Sequence, residues 1–438
     1  MREPRLRSLL LVLALIAAPA VALRARCDAD GCGHEAAAPA ARAPFCSLPP
    51  AFRSLVIAGF RDGRSPDVLA ATGTGRVASA DGSRLQRWPS VDDGPPEVPI
   101  ALLGSAVRPE PIPAGTRLDA IAPTLEGILG VDRPFPGVRS GTAIEGLARD
   151  DGSPLAVVVV WKDVGSSDLA DAPEAWPWLR GAMHADGAFT LHGSTGSLPV
   201  DPAAALTTIG TGGLPFQHGI TGERVRTDSG RVAEAFGRAA PLPVIATFAE
   251  DLDERTGQRS RVGLVATSER DRGLVGGSWY PGADRDDVTI GARDPAEEVE
   301  RLLAAGYGED ADPDLLAVTV SGTVRAMDRA TRDIVERVRD EVPAATIVVT
   351  ATGSVDAGLD PERGEAIVAG VERTLGAPAT LVDAIAAGGL FLDEPAVAAT
   401  GIGADEVAST MLGSTTAAGA PLFADAYPAY AVSLSRYC

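Results

Sequence analysis

Few residues in this chain have the type and spacing that chemistry requires. An apolar run from Leu155 to Trp161 ends at Lys162 and Asp163. A carboxylate at the exit of a buried strand is a candidate metal ligand, or simply a solvated or capping group. Ser321-Gly322-Thr323 and Thr352-Gly353-Ser354 follow two other apolar runs, but hydroxyls are weaker ligands than a carboxylate. His184 and His192 stand eight residues apart, which matches no common ligand spacing. Gly210-Thr211-Gly212-Gly213 is glycine-rich, yet no Lys-Ser or Lys-Thr follows, so it is not a P-loop. No Gly-x-Ser-x-Gly elbow supports serine hydrolysis. Cys27, Cys32 and His34 lie close enough to share a zinc ion, but a fourth ligand is not evident. The four cysteines, Cys27, Cys32, Cys46 and Cys438, are an even set. In an exported chain they read as disulfides, Cys27 with Cys32 locally and Cys46 with Cys438 across the folded part.

Export is read from the N-terminus. Arg2, Arg5 and Arg7 precede an apolar run from Leu9 to Leu23, and Ala20-Val21-Ala22 offers a cleavage site. These are the parts of a signal peptide over residues 1–22, with an uncleaved anchor as the alternative. Residues 23–44 lack periodicity and read as a flexible tail or stalk. The expected location is extracellular or in the cell envelope. The chain has 438 residues, 45% hydrophobic and 22% charged, with a net charge of −20. That charge repels phosphates, so nucleic acid and anionic lipid are set aside as partners. Membrane contact is expected only if the N-terminal segment is retained. The remaining partner is an unspecified protein or small ligand. Lys162 is the only lysine and asparagine is absent, which reads as coding bias rather than chemistry.

The elements that must position these residues alternate. Leu155–Trp161, 262–267, 315–320 and 346–350 are short apolar runs typical of buried parallel strands. Between them, 323–338 carries Val324, Met327, Ile334, Val335 and Val338 on one face. Ala296 to Leu303 is a second helix, introduced by Asp294 and Pro295, and Leu118 to Leu129 a third, ended by Gly130. Stretches 88–98 and 131–141 read as loops. The alternation predicts an α/β fold: a doubly wound, mainly parallel sheet with helices on both faces.

Residues 155–222 resemble the N-terminal half of the alkaline phosphatase superfamily, especially its nucleotide pyrophosphatase-like branch. The resemblance rests on the strand ending at Lys162-Asp163 and on Thr211-Gly212-Gly213-Leu214-Pro215-Phe216-Gln217-His218-Gly219-Ile220. Arg64-Ser65-Pro66-Asp67-Val68, Val98-Pro99-Ile100 and Asp119-Ala120-Ile121-Ala122-Pro123-Thr124 resemble parts of the family's C-terminal region. They come first here, so the resemblance implies a circular permutation: residues 45–148 as the family's C-terminal part and 149–438 as the rest of the same domain. A Cys46–Cys438 bridge would staple the new ends.

Members of that family hydrolyse phosphate or sulfate esters at metal sites. Counting back from Thr211, the nucleophile position falls on Pro202, which has no hydroxyl. Asp201 beside it is a weak alternative. The family's Asp-His-Gly is replaced at Thr352-Gly353-Ser354, and no histidine lies between Gln86 and Pro96. Asp163 is left as a possible vestigial ligand, and His218 is expected to satisfy backbone groups at a turn. The resemblance therefore implies an exported pseudoenzyme, a binding or structural envelope protein with no cofactor. The alternative is a divergent phosphate-ester or phosphodiester hydrolase, with zinc or magnesium held by Asp163, Asp201, His184 or His192.

Overall fold

The computed structural model describes residues 43–80, 87–150, 152–277, 279–281, 285–355, 362–378 and 380–438. Its centre is the strand Leu155–Trp161, all seven of whose residues are buried. Ala156, Val158 and Val160 face one hydrophobic cluster, and Val157, Val159 and Trp161 face the other. A strand covered on both faces cannot alternate apolar with polar residues, which is why it reads as a continuous run.

Seven strands form the main sheet, in the order Ala188–Ser194, Glu97–Leu103, Thr346–Ala351, Leu155–Trp161, Asp314–Val320, Val262–Ala266, Asp287–Ile290. Glu97–Leu103 runs antiparallel to both neighbours, and every other pairing is parallel. Helices Ile121–Leu129, Pro202–Thr211 and Phe248–Thr256 bury Leu125, Leu206 and Leu252 against one face. Helices Pro177–Asp186, Pro295–Ala304 and Val324–Glu341 bury Leu179, Leu302 and Val335 against the other. The doubly wound, mainly parallel α/β sheet expected from the sequence is the observed architecture. Helix starts follow their caps: Asp294 Oδ1 accepts from the Ala296 amide at 2.9 Å, with Pro295 in the first turn.

One helix packs closely enough to demand glycine. A Cβ on Gly210 would lie 2.2 Å from the Gly273 carbonyl oxygen, and one on Gly273 would lie 2.8 Å from the Thr207 amide nitrogen. Helix Pro202–Thr211 thus meets the 3-10 helix Glu269–Leu274 backbone to backbone. Gly210→Ala is expected to cost about 1–3 kcal/mol, the range for overpacking a packed contact. Urea unfolding measures it, and an unchanged midpoint would mean that the 3-10 helix yields freely.

Residues 355–438 carry no motif, yet they complete a second sheet. Its antiparallel order is Val382–Ala386, Gly389–Leu392, Val68–Thr72, Phe423–Pro428. Helices Gly364–Leu375 and Ala404–Leu412 cover one face through Ile367, Val371, Val407 and Met411. Phe45, helix Pro50–Gly59 and Tyr427 fill the other. Cys46 and Cys438 are joined in a disulfide with Cα atoms 5.2 Å apart, closing the two ends of this region onto each other. Cys27 and Cys32 lie outside the described residues, as do the expected signal peptide and nearly all of the expected tail. Among the described residues, no helix is long and apolar enough to cross a membrane.

Candidate functional site

In a doubly wound sheet, ligands gather beyond the carboxyl ends of the strands. The first residue beyond the central strand is Lys162, whose amide donates to the Val320 carbonyl at 2.9 Å. Its ammonium turns inward. Nζ lies 2.7 Å from Asp271 Oδ1 and 3.0 Å from Thr267 Oγ1. Asp271, in the 3-10 helix after the strand Val262–Ala266, is wholly buried. Its Oδ2 accepts from the Thr267 amide and hydroxyl and from Thr319 Oγ1, at 2.7–3.0 Å. Burial alone would raise the Asp271 pKa. The Lys162 ammonium, with hydrogen bonds from Lys162, Thr319 and Thr267, outweighs it and holds the carboxyl below its usual range.

Asp163 points the other way. It is exposed, in the left-handed region at φ 63°, and its amide donates to Thr352 Oγ1 at 2.9 Å. Thr352 and Gly353 donate their amides to the Trp161 and Val164 carbonyls, each at 3.0 Å. Thr352-Gly353-Ser354 therefore laces the Lys162–Gly165 turn in place. A Cβ on Gly165 would sit 2.8 Å from the Ser354 amide nitrogen, so only glycine fits that approach.

Asp201 and Pro202 begin helix Pro202–Thr211. Asp201 is its N-cap: Oδ1 accepts from the Ala203 and Ala204 amides at 2.9 and 3.3 Å, and Oδ2 from the Glu223 amide at 2.9 Å. Burial, then the Glu223 carboxylate, push its pKa up to about 7 against those three backbone donors. Pro202 is buried at the first helical position. The helix's threonines point at their own backbone or at histidine. Thr207 Oγ1 donates to Ala203 O at 2.7 Å, Thr211 Oγ1 to Thr207 O at 2.6 Å, and Thr208 Oγ1 lies 3.1 Å from His218 Nε2.

The other histidines stand apart from these groups. The exposed His184 packs its ring edge-on against Phe189 at 4.9 Å between centroids, and His192 Nδ1 lies 3.0 Å from Glu97 Oε2 on the surface. Asp328, in helix Val324–Glu341, accepts from the Trp178 and Leu179 amides at 3.1 and 2.9 Å, capping the helix opposite. Among the described residues, no three His, Cys, Asp or Glu side chains come together as a metal-holding group.

What the structure does bring together is a cleft of about 580 Å³ at the Asp201 end of helix Pro202–Thr211. Asp201, Glu223 and Arg270 line one side; Glu365, Asp383 and Ile385 of the second sheet and its helix line the other. Arg270 pairs with Glu223 at 2.5 Å. This cleft is not legible in the sequence, because Glu365 and Asp383 belong to a region without motifs. The Lys162–Asp271 pair was also missed, although a lone lysine at a strand exit was a usable signal.

No family model matches the chain, and none of the curated proteins matches it. Among solved structures it is similar to the alkaline phosphatase PafA, in crystal structures of the wild type and of a mutant. In each case the identity is 13% and the TM-score 0.42, over 59% of this chain and 76% of the other. Fold and site together define an α/β protein with a doubly wound sheet, a buried ion pair at the sheet's carboxyl edge and a polar cleft beside it.

Proposed function

We propose that this chain is an exported, circularly permuted alkaline phosphatase-like domain that does not hydrolyse esters and serves as a binding or structural protein of the cell envelope. The observation that carries the reading is the Lys162 ammonium 2.7 Å from Asp271. A fixed protein cation neutralises a buried carboxylate at the edge where a hydrolase of this kind would hold bound metal ions. Two further observations support it. Pro202 offers no nucleophilic oxygen, and the Asp201 carboxylate is committed to three backbone amides. The disulfide between Cys46 and Cys438 supports both export and permutation, because it ties together the ends that a permuted domain would create.

The test is metal content and turnover on the purified exported domain. After loading with zinc and magnesium and dialysis, the chain is expected to retain no stoichiometric metal. It should not accelerate cleavage of 4-nitrophenyl phosphate or bis(4-nitrophenyl) phosphate. About two tightly held zinc ions per chain, as a two-metal site requires, with cleavage abolished by Asp163→Ala, would establish the hydrolase instead.

A further inference from the structure

The cleft beside Asp201 has a smaller annex. The two spaces share Asp201, Arg224 and Ala386, and the annex measures about 20 Å³, room for one water-sized group. Thr221 lines it. That residue is 7% exposed, and its hydroxyl has no hydrogen-bond partner. A buried hydroxyl without a partner costs about 1–3 kcal/mol, so its retention points to a partner from outside the chain. Gly222 sits against the same carboxylate; a Cβ there would come within 3.0 Å of Asp201 Oδ2.

Charge says what that partner is. Glu223 and Arg270 neutralise each other across the cleft. Among the described residues, Glu234, Glu365 and Asp383 also line it without an ion-pair partner, against the one unpaired guanidinium of Arg224. The described residues of the cleft therefore present an excess of negative charge above a pocket that ends in a carboxylate and an unsatisfied hydroxyl.

We propose that cleft and annex bind an organic polyamine-type cation, with one primary ammonium in the annex against Asp201 and Thr221 and its remaining amines along Glu234, Glu365 and Asp383. This rests on the reading of the protein as a binding domain. An ammonium matches the annex in size, and its three donors suit a carboxylate and a hydroxyl that both accept. Its charge compensates the burial that pushes Asp201 upward. Phosphates and carboxylates are repelled by the same walls.

Isothermal titration of the full chain tests this, with spermidine as the probe and glucose, inorganic phosphate and magnesium as controls. Spermidine is expected to bind, and the controls are not. Thr221→Val keeps the side chain's shape and removes only the hydroxyl. It should weaken spermidine about tenfold, the worth of one hydrogen bond, while leaving the unfolding midpoint unchanged or raised. Glu365→Gln with Asp383→Asn should weaken it at least as much and flatten its salt dependence. Absence of spermidine binding, or binding indifferent to both variants, overturns the proposal. If glucose or magnesium binds in its place, the ligand class is wrong and the binding reading stands. If no probe binds and 4-nitrophenyl phosphate is cleaved, both fail.

Discussion

Asp251→Ala is expected to lower the unfolding free energy by about 3–5 kcal/mol, the cost of leaving buried charge without its partner. Asp251 is wholly buried in helix Phe248–Thr256, and its Oδ2 accepts from Arg133 Nε at 2.7 Å and from Arg139 Nη2 at 2.8 Å. Tyr280 Oη donates to Oδ1 at 2.8 Å. Burial, reinforced by the Arg139 guanidinium, lowers the Arg133 pKa to about 10, and Asp251 is the main counterweight. Without that carboxylate, two guanidinium groups are held in the interior against carbonyls such as Ala246 O and Thr211 O, with Glu126 the remaining carboxylate that acts on Arg133. The triad also ties residues 131–141 to two helices of the main layer, so the loss should spread to that segment. Urea unfolding of the variant reads the effect. A companion carrying Arg133→Met, Arg139→Met and Asp251→Leu should recover much of the stability, since apolar replacement of a whole buried ion cluster is often neutral or better. A loss under about 1 kcal/mol for the single variant would show that the two arginines find water or other acceptors.

The contrast between what could and could not be read from the chain follows from sequence distance. Leu155–Trp161 was legible because a strand buried on both faces must be continuously apolar, whatever its neighbours. Helix Val324–Glu341 was legible for an equally local reason, a stripe at helical period. Val68–Thr72 was not. Only Val, Leu and two alanines precede its threonine, and its partners are Leu390 and Tyr427. Strand pairing at that range leaves no periodic trace in either segment. The site divides in the same way. Asp163, Asp201 and Pro202 could be placed at element ends from local pattern, but their surroundings could not. The side chain that matters most at the sheet edge is Lys162, and its partner lies 109 residues away. The orphaned Thr221 hydroxyl is a property of what fails to reach it, which no single segment encodes. Cys46 and Cys438 are the exception: parity and the expectation of export sufficed to suggest a pair 392 residues apart.

The contributions of His218 and Asp201 to stability are expected to offset each other between pH 3.8 and 6.5, because these two buried groups near one helix titrate in opposite senses. His218 Nδ1 accepts from the Ile220 amide at 3.1 Å, which leaves the proton on Nε2 to donate to Thr208 Oγ1. Burial, then the Arg61 guanidinium, lowers its pKa from 6.5 to about 3. Between those values the unfolded chain binds the extra proton, so the stability His218 contributes is full above 6.5 and is lost as pH falls toward 3. Asp201 is reversed. Its folded pKa is raised from 3.8 to about 7, so the native chain binds the extra proton there. The stability it contributes is full below 3.8 and is lost as pH rises toward 7. Each slope is about 1.4 kcal/mol per pH unit. Where the windows overlap they cancel; below 3.8 His218 acts together with carboxylates held below their usual range, Asp271 among them, and acid unfolding should set in there. Single variants separate the two. With His218→Gln, stability should fall as pH rises through the overlap. With Asp201→Asn, which can still cap the helix, it should fall as pH drops. Lost hydrogen bonds displace each curve vertically without changing its slope, so urea unfolding across the window distinguishes titration from simple damage. Parallel curves for the two variants would show that neither group titrates as its burial requires. Crossing curves would show that both groups titrate in the senses their burial requires.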